Sequence, residues 1–580
     1  MRALDWIVVA AYLGGTLTLG VWLARRGSRS LADFFVGGRS IPWWLAGASM
    51  AATTFNVDTP LYVTGLVARR GIAGNWEWWS FACTHVMMAV VLARLWRRAT
   101  IMTDAELIEL RYGGRPAAIL RGTRALLFAI PINCLGIGYG MLAMRKVIVA
   151  LGVLQSLPLP GDPQLWAVMA IVLVVLVYST AAGLWGVVAT DFLQLLLALA
   201  GALLVAGFAL HQVGGLAPLR AQLVGAGRGA SLHLLPHPGD VALPFGTFLA
   251  YIGLQWWAYR GADGGGMFVQ RLSSVRDERS AERAAVLFNV INYVVRTWPW
   301  VVVALAAMVV LPALKDPETA YPLMMLRYLP VGVLGLVFAS LVAAFMSAVS
   351  TQINWSASYI VRDVYQRFVA RDADERRLVL VSRAATLLVT LLAAAFSFYL
   401  IHDVGSTFRL LILIGNGTGT VLLLRWFWWR VNAWAEWTAL LLGTGIALLI
   451  VAVPALNQLS FGAKLVLTAG GAMAVWVPVM LLTEPESPAV LEAFYARARP
   501  GGPGWRGPRA RLGLAPASPL GRDFAEAAAM LAMVLGAMLA VGGVVVGSTG
   551  WALGAAGALV VGWMARRAVR REPVRRETFT

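Results

Sequence analysis

Long apolar segments separated by short polar stretches repeat along the whole chain. Each segment is long enough to cross a hydrocarbon layer of about 30 Å as a helix that rises about 1.5 Å per residue. The pattern therefore predicts an all-α polytopic membrane protein with about fifteen spans. The predicted spans are 4–24, 43–68, 76–96, 125–151, 164–184, 187–211, 243–260, 286–313, 329–361, 378–402, 406–424, 433–454, 462–482, 523–544 and 549–565.

The second of these segments is interrupted by polar residues. The stretch 37–60 contains Thr53 and Thr54 and then Asn56-Val57-Asp58-Thr59-Pro60, where an ordinary span would be apolar. Irregular polar backbone at membrane depth is tolerated only where it is buried in protein or lines a cavity. Because interrupted helices hold substrate and coupling ions in secondary transporters, this break indicates transport.

Another interrupted segment follows five spans later. Residues 243–260 run directly into Arg260-Gly261-Ala262-Asp263-Gly264-Gly265-Gly266, and each glycine costs about 1 kcal/mol in a helix relative to alanine. Two sets of five spans that each begin with a broken helix are typical of an inverted repeat, because five crossings leave the chain on the other side. We therefore expect a ten-helix transport core at 43–430, with repeats at about 43–212 and 243–430.

The regions that flank this core complete the predicted organisation. They are an extra N-terminal span with a cytoplasmic loop at 1–42, two accessory spans at 431–483, a Pro/Gly-rich basic cytoplasmic linker at 484–521, a helical hairpin at 522–566 and a basic cytoplasmic tail at 567–580. The composition of the linker is typical of a flexible segment.

Composition and charge agree with a membrane protein. Hydrophobic residues make up 59% of the chain, charged residues 13%, and the mean hydropathy is +0.72, whereas about a quarter of the residues in soluble domains are charged. The net charge of +19 is spread between apolar segments, which argues against a nucleic-acid partner. Most Lys and Arg residues fall on one side of the predicted spans, which favours an external N-terminus and a cytoplasmic C-terminus.

Five motifs in order along the chain resemble those of a known family. They are DFFVGGRSIPWWLAGASMAATTF at 33–55, TDAELIELRYG at 103–113, YSTAAGLWGVVATDFLQ at 178–194, VQRLSS at 269–274 and AAFMSAVSTQINWSASYIVRDVY at 343–365. The chain is similar to the sodium:solute symporters, which include bacterial proline, sialic-acid and sugar transporters and animal sodium/glucose cotransporters. The resemblance covers at least residues 1–435 and implies a LeuT-like core. Tryptophan-rich segments at 74–80, 296–300 and 424–436 resemble a bacterial branch without an assigned substrate, which implies a multi-pass protein of the bacterial inner (plasma) membrane.

The resemblance implies a sodium site between the first and eighth core helices. Its ligands would be the carbonyls of Ala52, Phe55 and Ala344 and hydroxyls at positions 347 and 348. Ser347 carries one hydroxyl, but Ala348 carries none. A hard cation prefers an oxygen shell, so water, Ser350 or Thr351 would have to replace the missing ligand. Sodium is the expected coupling ion, without a further cofactor, and proton-coupled or uncoupled transport remains the alternative.

Asp191 is a second candidate for ion chemistry. The family's matching carboxylate, near the cytoplasmic end of the fifth core helix, is associated with ion release and with additional sodium sites. Acidic residues also favour the positive end of a helix dipole, so a plain helix-start role is the alternative.

Arg296 lies well inside a predicted span and is a candidate substrate residue. A charged residue at that depth costs at least about 2.5 kcal/mol unless it faces a cavity or a partner. In sugar-transporting relatives a lysine three residues before a proline contacts substrate, and here Arg296 precedes Pro299 by three. The planar guanidinium suits a carboxylate, which favours an anionic or hydroxyl-rich solute. An internal ion pair with Asp191 or Asp58 is the alternative.

The remaining cavity candidates border the breaks. Trp and Tyr also populate membrane interfaces regardless of function, so the aromatic residues among them have an alternative explanation. The candidates are Thr54, Asp58, Thr59, Gln255, Trp256, Trp257, Tyr259 and Asn416. Together these observations predict a transporter rather than an enzyme. It would work as a monomer or weak oligomer in the lipid bilayer on a sugar, sugar acid, amino acid or carboxylate. A membrane solute sensor is the lesser alternative.

Overall fold

The computed structural model describes residues 1–24, 37–101, 103–153 and 160–571, and the regular structure of these residues is helical. The loop 25–36 and the end of the tail, 572–580, lie outside the described residues. The first half contains α1 (Ala3–Ala24), α2 (Trp43–Thr53), α3 (Asp58–Arg70), α4 (Ile72–Ala99), α5 (Gly114–Ala150), α6 (Pro163–Val213), α7 (245–258) and α8 (Met267–Ser274).

The second half of the chain continues in the same way. Its helices are α9 (Glu278–Val310), α10 (Val333–Val369), α11 (Glu375–Tyr399), α12 (Val404–Gly415), α13 (Gly419–Phe427), α14 (Ala433–Ala452), α15 (Phe461–Leu482), α16 (Pro488–Ala498), α17 (Arg506–Leu512), α18 (Leu520–Val546) and α19 (Thr549–Arg571). Shorter helices lie in the connections at Glu106–Arg111, Leu216–Gly225, Ala320–Tyr328 and Pro454–Asn457.

Ten helices within the described ranges are long and apolar enough to cross a membrane. Three shorter apolar stretches, Ala3–Thr16, Pro163–Val174 and Val404–Gly415, accompany them. The spans predicted at 164–184 and 187–211 follow one another within the single helix α6. The two residues between those predicted spans include no proline and only one glycine, which is not enough to end a helix.

The predicted break in the second span is confirmed. Helix α2 ends at Thr53 and α3 begins at Asp58. Side chains replace the missing helical hydrogen bonds, because Asn56 Oδ1 accepts the Val57 N–H at 2.8 Å and Thr59 Oγ1 accepts the Asn56 N–H at 3.3 Å. Short polar side chains favour such local bonds over a continued helix.

The second predicted break is also confirmed, and it meets a third one. Helix α7 ends at Ala258, and Tyr259 forms an isolated antiparallel bridge with Asn416, which separates α12 from α13. The Gly417 N–H donates to the Ala258 carbonyl at 2.9 Å. Two interrupted helices therefore hold each other's exposed backbone.

Because Gly419 has no side chain, the start of α13 can lie close to the backbone at the end of α7. Substitution of Gly419 tests the importance of this contact. A methyl group at Gly419 would lie 2.5 Å from the Trp257 carbonyl oxygen and closer still to that of Tyr259. We expect Gly419→Ala to lower the apparent melting temperature by several degrees and to impair uptake, because overpacking costs about 1 to 3 kcal/mol. Gly445→Ala is the matched control, since nothing lies within 4 Å of the added methyl group there. Equal melting temperatures for the two variants would contradict the packing argument.

The segment 484–521 is folded, unlike the flexible linker expected from its composition. It contains α16 and α17, and its aromatic residues Phe494, Tyr495 and Trp505 are buried. Trp505 Nε1 donates to the Trp426 carbonyl at 2.8 Å. Burial of three large rings, with about 1.5 to 3 kcal/mol for a fully buried apolar side chain, offsets the flexibility of the Pro/Gly-rich sequence.

Candidate functional site

A cavity of about 270 Å³ lies where the breaks meet. Five of the predicted substrate candidates line it: Thr54, Asp58, Thr59, Tyr259 and Arg296. The other walls come from α4, α5, α8, α9, α10 and α12, so the cavity is lined by helices from both halves of the chain. Its size and its mixture of aromatic and polar walls suit a small organic solute.

Arg296 enters the cavity wall from α9 and is 3% exposed. Its Nη1 donates to the Ala51 carbonyl at 3.1 Å and to Thr54 Oγ1 at 3.2 Å. The guanidinium also lies over the rings of Phe55 and Trp300, 5.8 and 5.7 Å from their centroids. The charge is therefore placed at the C-terminal end of α2, where carbonyls and the helix dipole favour a cation.

Asp58 lines the same cavity from the first turn of α3 and is 6% exposed. Tyr139, which also lines the cavity, interacts with its carboxylate. Asp191, the other predicted ion-pair partner of Arg296, pairs with a different arginine, Arg271.

Four predicted candidates lie outside the cavity lining, and polar groups of each form hydrogen bonds elsewhere. Gln255 Nε2 donates to the Glu77 carbonyl at 2.7 Å, and Trp257 Nε1 donates to the Gly253 carbonyl at 2.6 Å. The Trp256 carbonyl accepts from Thr84 at 2.6 Å. Asn416 Nδ2 donates to the Leu465 carbonyl at 2.8 Å. Proximity to a break was the only signal for these residues, and it does not distinguish the cavity face from the packing face.

Several lining residues were not among the predicted candidates. They come from helices without a break and include His85, Asn133, Tyr139, Asn292, Tyr293 and Gln352. His85 Nδ1 lies 2.6 Å from the Tyr293 hydroxyl, and the Tyr293 ring stacks on Trp78 with centroids 6.1 Å apart. A lone polar residue in an apolar span is the only sequence signal for such positions.

The residues of the predicted sodium site lie at the contact between α2 and α10. Ala52, Phe55, Ala344, Ser347 and Ala348 are all at most 2% exposed. The Ala52 carbonyl accepts the Phe55 N–H at 3.0 Å across the break. The site is thus buried and adjoins the C-terminal end of α2, while the methyl group of Ala348 occupies the position expected to carry a hydroxyl.

Asp191 joins the two helices of this site from α6. Its Oδ1 accepts from Ser347 Oγ at 2.6 Å, and its Oδ2 accepts from Ser49 Oγ at 2.5 Å. Asp191 is 1% exposed and lies in the interior of α6, far from the helix start at Pro163. The alternative of a plain helix-start residue is therefore wrong.

Arg271, from the VQRLSS motif on α8, is the partner that sequence reasoning missed. Its Nη2 lies 3.6 Å from Asp191 Oδ2 and donates to Thr351 Oγ1 at 3.1 Å and to Thr53 Oγ1 at 3.3 Å. The guanidinium is 2% exposed. A buried carboxylate, a buried cation and several hydroxyls therefore share one polar cluster beside the break.

Interrupted helices that meet around a polar cavity, within a bundle of membrane-length helices, define a secondary transporter. Residues 34–443 match the profile of the Sodium:solute symporter family, and the chain belongs to that family.

Named relatives agree with this assignment. The chain is 26% identical to a sodium/glucose cotransporter of Vibrio parahaemolyticus, over 74% of this chain and 82% of the relative. It is also 26% identical to sodium/glucose cotransporter 4 of Danio rerio, over 76% and 71%. A solved structure of a Na⁺-coupled sialic acid symporter shares the fold, with a TM-score of 0.66 and 20% identity over 84% of this chain and 99% of that one. The predictions of an all-α symporter fold and of a transporter rather than an enzyme are confirmed, whereas the number and sidedness of the spans remain predictions.

Proposed function

We propose that this protein carries a small polar organic solute into the cell by sodium-coupled symport with alternating access. The observation that most supports this proposal is that two features lie close together. One is the polar cavity at the helix breaks, and the other is the oxygen-rich contact between α2 and α10. Thr53 and Thr54 are consecutive residues, and the first belongs to the Asp191 cluster while the second bonds Arg296 in the cavity wall. Ion and solute would therefore bind to the same interrupted helix.

Such coupling is sufficient to concentrate a solute. One cation entering at about 100 mV gains about 2.3 kcal/mol, and a tenfold sodium gradient adds about 1.4 kcal/mol. At one-to-one stoichiometry the sum corresponds to a concentration ratio of a few hundredfold for a neutral solute. Coupling requires that sodium favour the outward-open state over the other states.

The proposed ion ligands are the carbonyls of Ala52, Phe55 and Ala344 and the hydroxyl of Ser347. We expect Ala348→Ser to lower the sodium concentration for half-maximal uptake about tenfold, the equivalent of about 1.4 kcal/mol, because it restores a hydroxyl ligand. Ala343→Ser, on the same buried helix, is the matched control and should leave sodium affinity unchanged. Equal sodium affinity for Ala348→Ser and wild type would contradict this site.

The coupling ion itself is tested in proteoliposomes loaded without sodium. A panel of sugars, sugar acids, amino acids and carboxylates is offered with an inward gradient of sodium, of protons at constant choline, or of neither. Accumulation that needs the sodium gradient would support the proposal. Accumulation on the proton gradient alone, or equilibration without accumulation, would favour the second candidate, proton-coupled or uncoupled transport, which the missing hydroxyl at Ala348 keeps open.

A further inference from the structure

The solute cavity carries opposite charges that are incompletely compensated. Asp58 and Arg296 both line it and are more than nine-tenths buried. Asp58 Oδ1 and Arg296 Nε each lack a hydrogen-bond partner among the described residues. Burying a charge without full compensation is costly, so these two groups favour a solute that supplies an opposite charge to each.

The two groups do not neutralise each other by direct contact. The hydrogen bonds of Arg296 go to Ala51 and Thr54, and the Asp58 carboxylate interacts with Tyr139. A solute between them would meet a carboxylate on one side and a guanidinium on the other. The guanidinium fork binds a carboxylate with two donors, and the carboxylate of Asp58 accepts from an ammonium.

Some of the uncharged polar groups of the cavity already have partners. Asn133 Nδ2 donates to Ser356 Oγ at 2.9 Å, and Asn56 Oδ1 caps the break. Gln352 Oε1 has no hydrogen-bond partner among the described residues, but an amide carries no charge to match that of a solute. Arg260 also lines the cavity, but it donates to the Leu411 carbonyl at 3.4 Å and lies over the Tyr259 ring, 5.4 Å from its centroid. A second arginine favours a solute that carries a carboxylate over a bare amine.

The walls around the charged pair are largely aromatic. Trp78, Phe81, Phe268 and Phe408 line the cavity together with the tyrosines already described. Such rings accommodate an apolar side chain or a cationic carbon next to nitrogen. A neutral polyol would satisfy hydrogen bonds there but would leave both charges without a counter-charge.

We propose that the transported solute is a zwitterion of the amino-acid type, with its carboxylate held by Arg296 and its ammonium by Asp58. This inference rests on the proposed function, because it names the substrate class of the same cavity.

The test measures sodium-dependent thermal stabilisation of the purified full chain and uptake into proteoliposomes. The panel contains the neutral amino acids and glycine betaine, the amine and carboxylate that correspond to each amino acid, and D-glucose. At least one zwitterion should stabilise the protein and should bind at least tenfold more tightly than its amine, its carboxylate or glucose. If glucose or a simple carboxylate binds more tightly than every zwitterion, the inference is wrong, although sodium-coupled symport stands.

Two variants locate the charges. Asp58→Asn should weaken binding of the zwitterion at least tenfold and leave binding of the matching carboxylate nearly unchanged. Arg296→Gln should weaken binding of both the zwitterion and the carboxylate relative to the matching amine. Because solutes are compared within one variant, a general loss of stability does not alter these ratios. Unchanged ratios in both variants would overturn the assignment of the charges. Zwitterion binding that is equally tight with and without sodium would support the inference and overturn the proposed sodium coupling.

Discussion

Replacing Arg425 with glutamine is expected to destabilise the protein by about 3 to 5 kcal/mol, the cost of breaking a buried ion pair by removing one partner. Arg425 is 0% exposed, and its guanidinium lies 2.6 Å from Asp263 Oδ2 and 3.0 Å from Glu436 Oε1. The substitution would leave both buried carboxylates without this counter-ion.

The loss of stability would affect neighbouring helices as well, because Arg425 belongs to a larger network of buried ion pairs. Arg124 pairs with Glu436 at 3.1 Å and with Asp104 at 2.9 Å, so Arg124 of α5 and Arg425 of α13 share the Glu436 carboxylate of α14. Asp263 also holds the second break, since its Oδ1 accepts the Gly265 N–H at 3.0 Å. We therefore expect Arg425→Gln to impair transport as well as stability.

The measurement is the apparent melting temperature in detergent, together with unfolding in increasing SDS. Arg276→Gln is the matched control, because Arg276 pairs with Asp277 at 3.2 Å while the two side chains are 79% and 49% exposed. An exposed pair contributes about 0 to 1 kcal/mol. Arg425→Lys should fall between glutamine and wild type, since it keeps the charge but loses the planar fork. Equal losses for Arg425→Gln and Arg276→Gln would contradict the importance of burial.

The breaks in the helices were predictable because local chemistry produces them. The run from Thr53 to Pro60 and the glycines after Arg260 interrupt a helix whatever surrounds them, and both breaks are present. Cavity residues next to the first break, such as Asp58 and Thr59, follow from the same signal. The break at 416–418 has only two polar side chains and one glycine in an apolar span, so its geometry becomes clear only through the bridge between Asn416 and Tyr259.

Partnerships between distant segments were not predictable. Arg271 and Asp191 are 80 residues apart, and nothing near either residue indicates that they meet. Helices buried on all sides show no apolar stripe that would distinguish a cavity face from a packing face. For this reason His85 and Tyr139 were not predicted at the cavity, while Gln255 and Trp256 were predicted there and instead pack between helices.

Replacing Asp191 with asparagine is expected to reduce sodium-dependent uptake by at least about a hundredfold. The change removes the one carboxylate that contacts both Ser49 and Ser347. It also leaves Arg271 buried without its ion-pair partner, which destabilises by about 3 to 5 kcal/mol. Asp372→Asn, at an exposed position in the connection before α11, is the control for the loss of one negative charge.

A lower uptake by Asp191→Asn alone would fit two roles, and a double variant separates them. Arg271→Gln combined with Asp191→Asn removes both charges, so much of the lost stability should return through coupling between the two sites. Arg271→Gln alone should destabilise the protein, because it leaves the Asp191 carboxylate buried without a counter-charge. The melting temperatures of the wild type, the two single variants and the double variant together form a double-mutant cycle.

Sodium dependence then decides what Asp191 does. If the carboxylate helps to bind or release the coupling ion, the double variant should regain stability but not sodium-driven accumulation, because no negative charge remains beside Ser347. If Asp191 only neutralises Arg271, the double variant should recover both. Full recovery of sodium-driven uptake would therefore restrict Asp191 to a structural role and leave the carbonyls of the broken helix, with Ser347, as the proposed ion ligands.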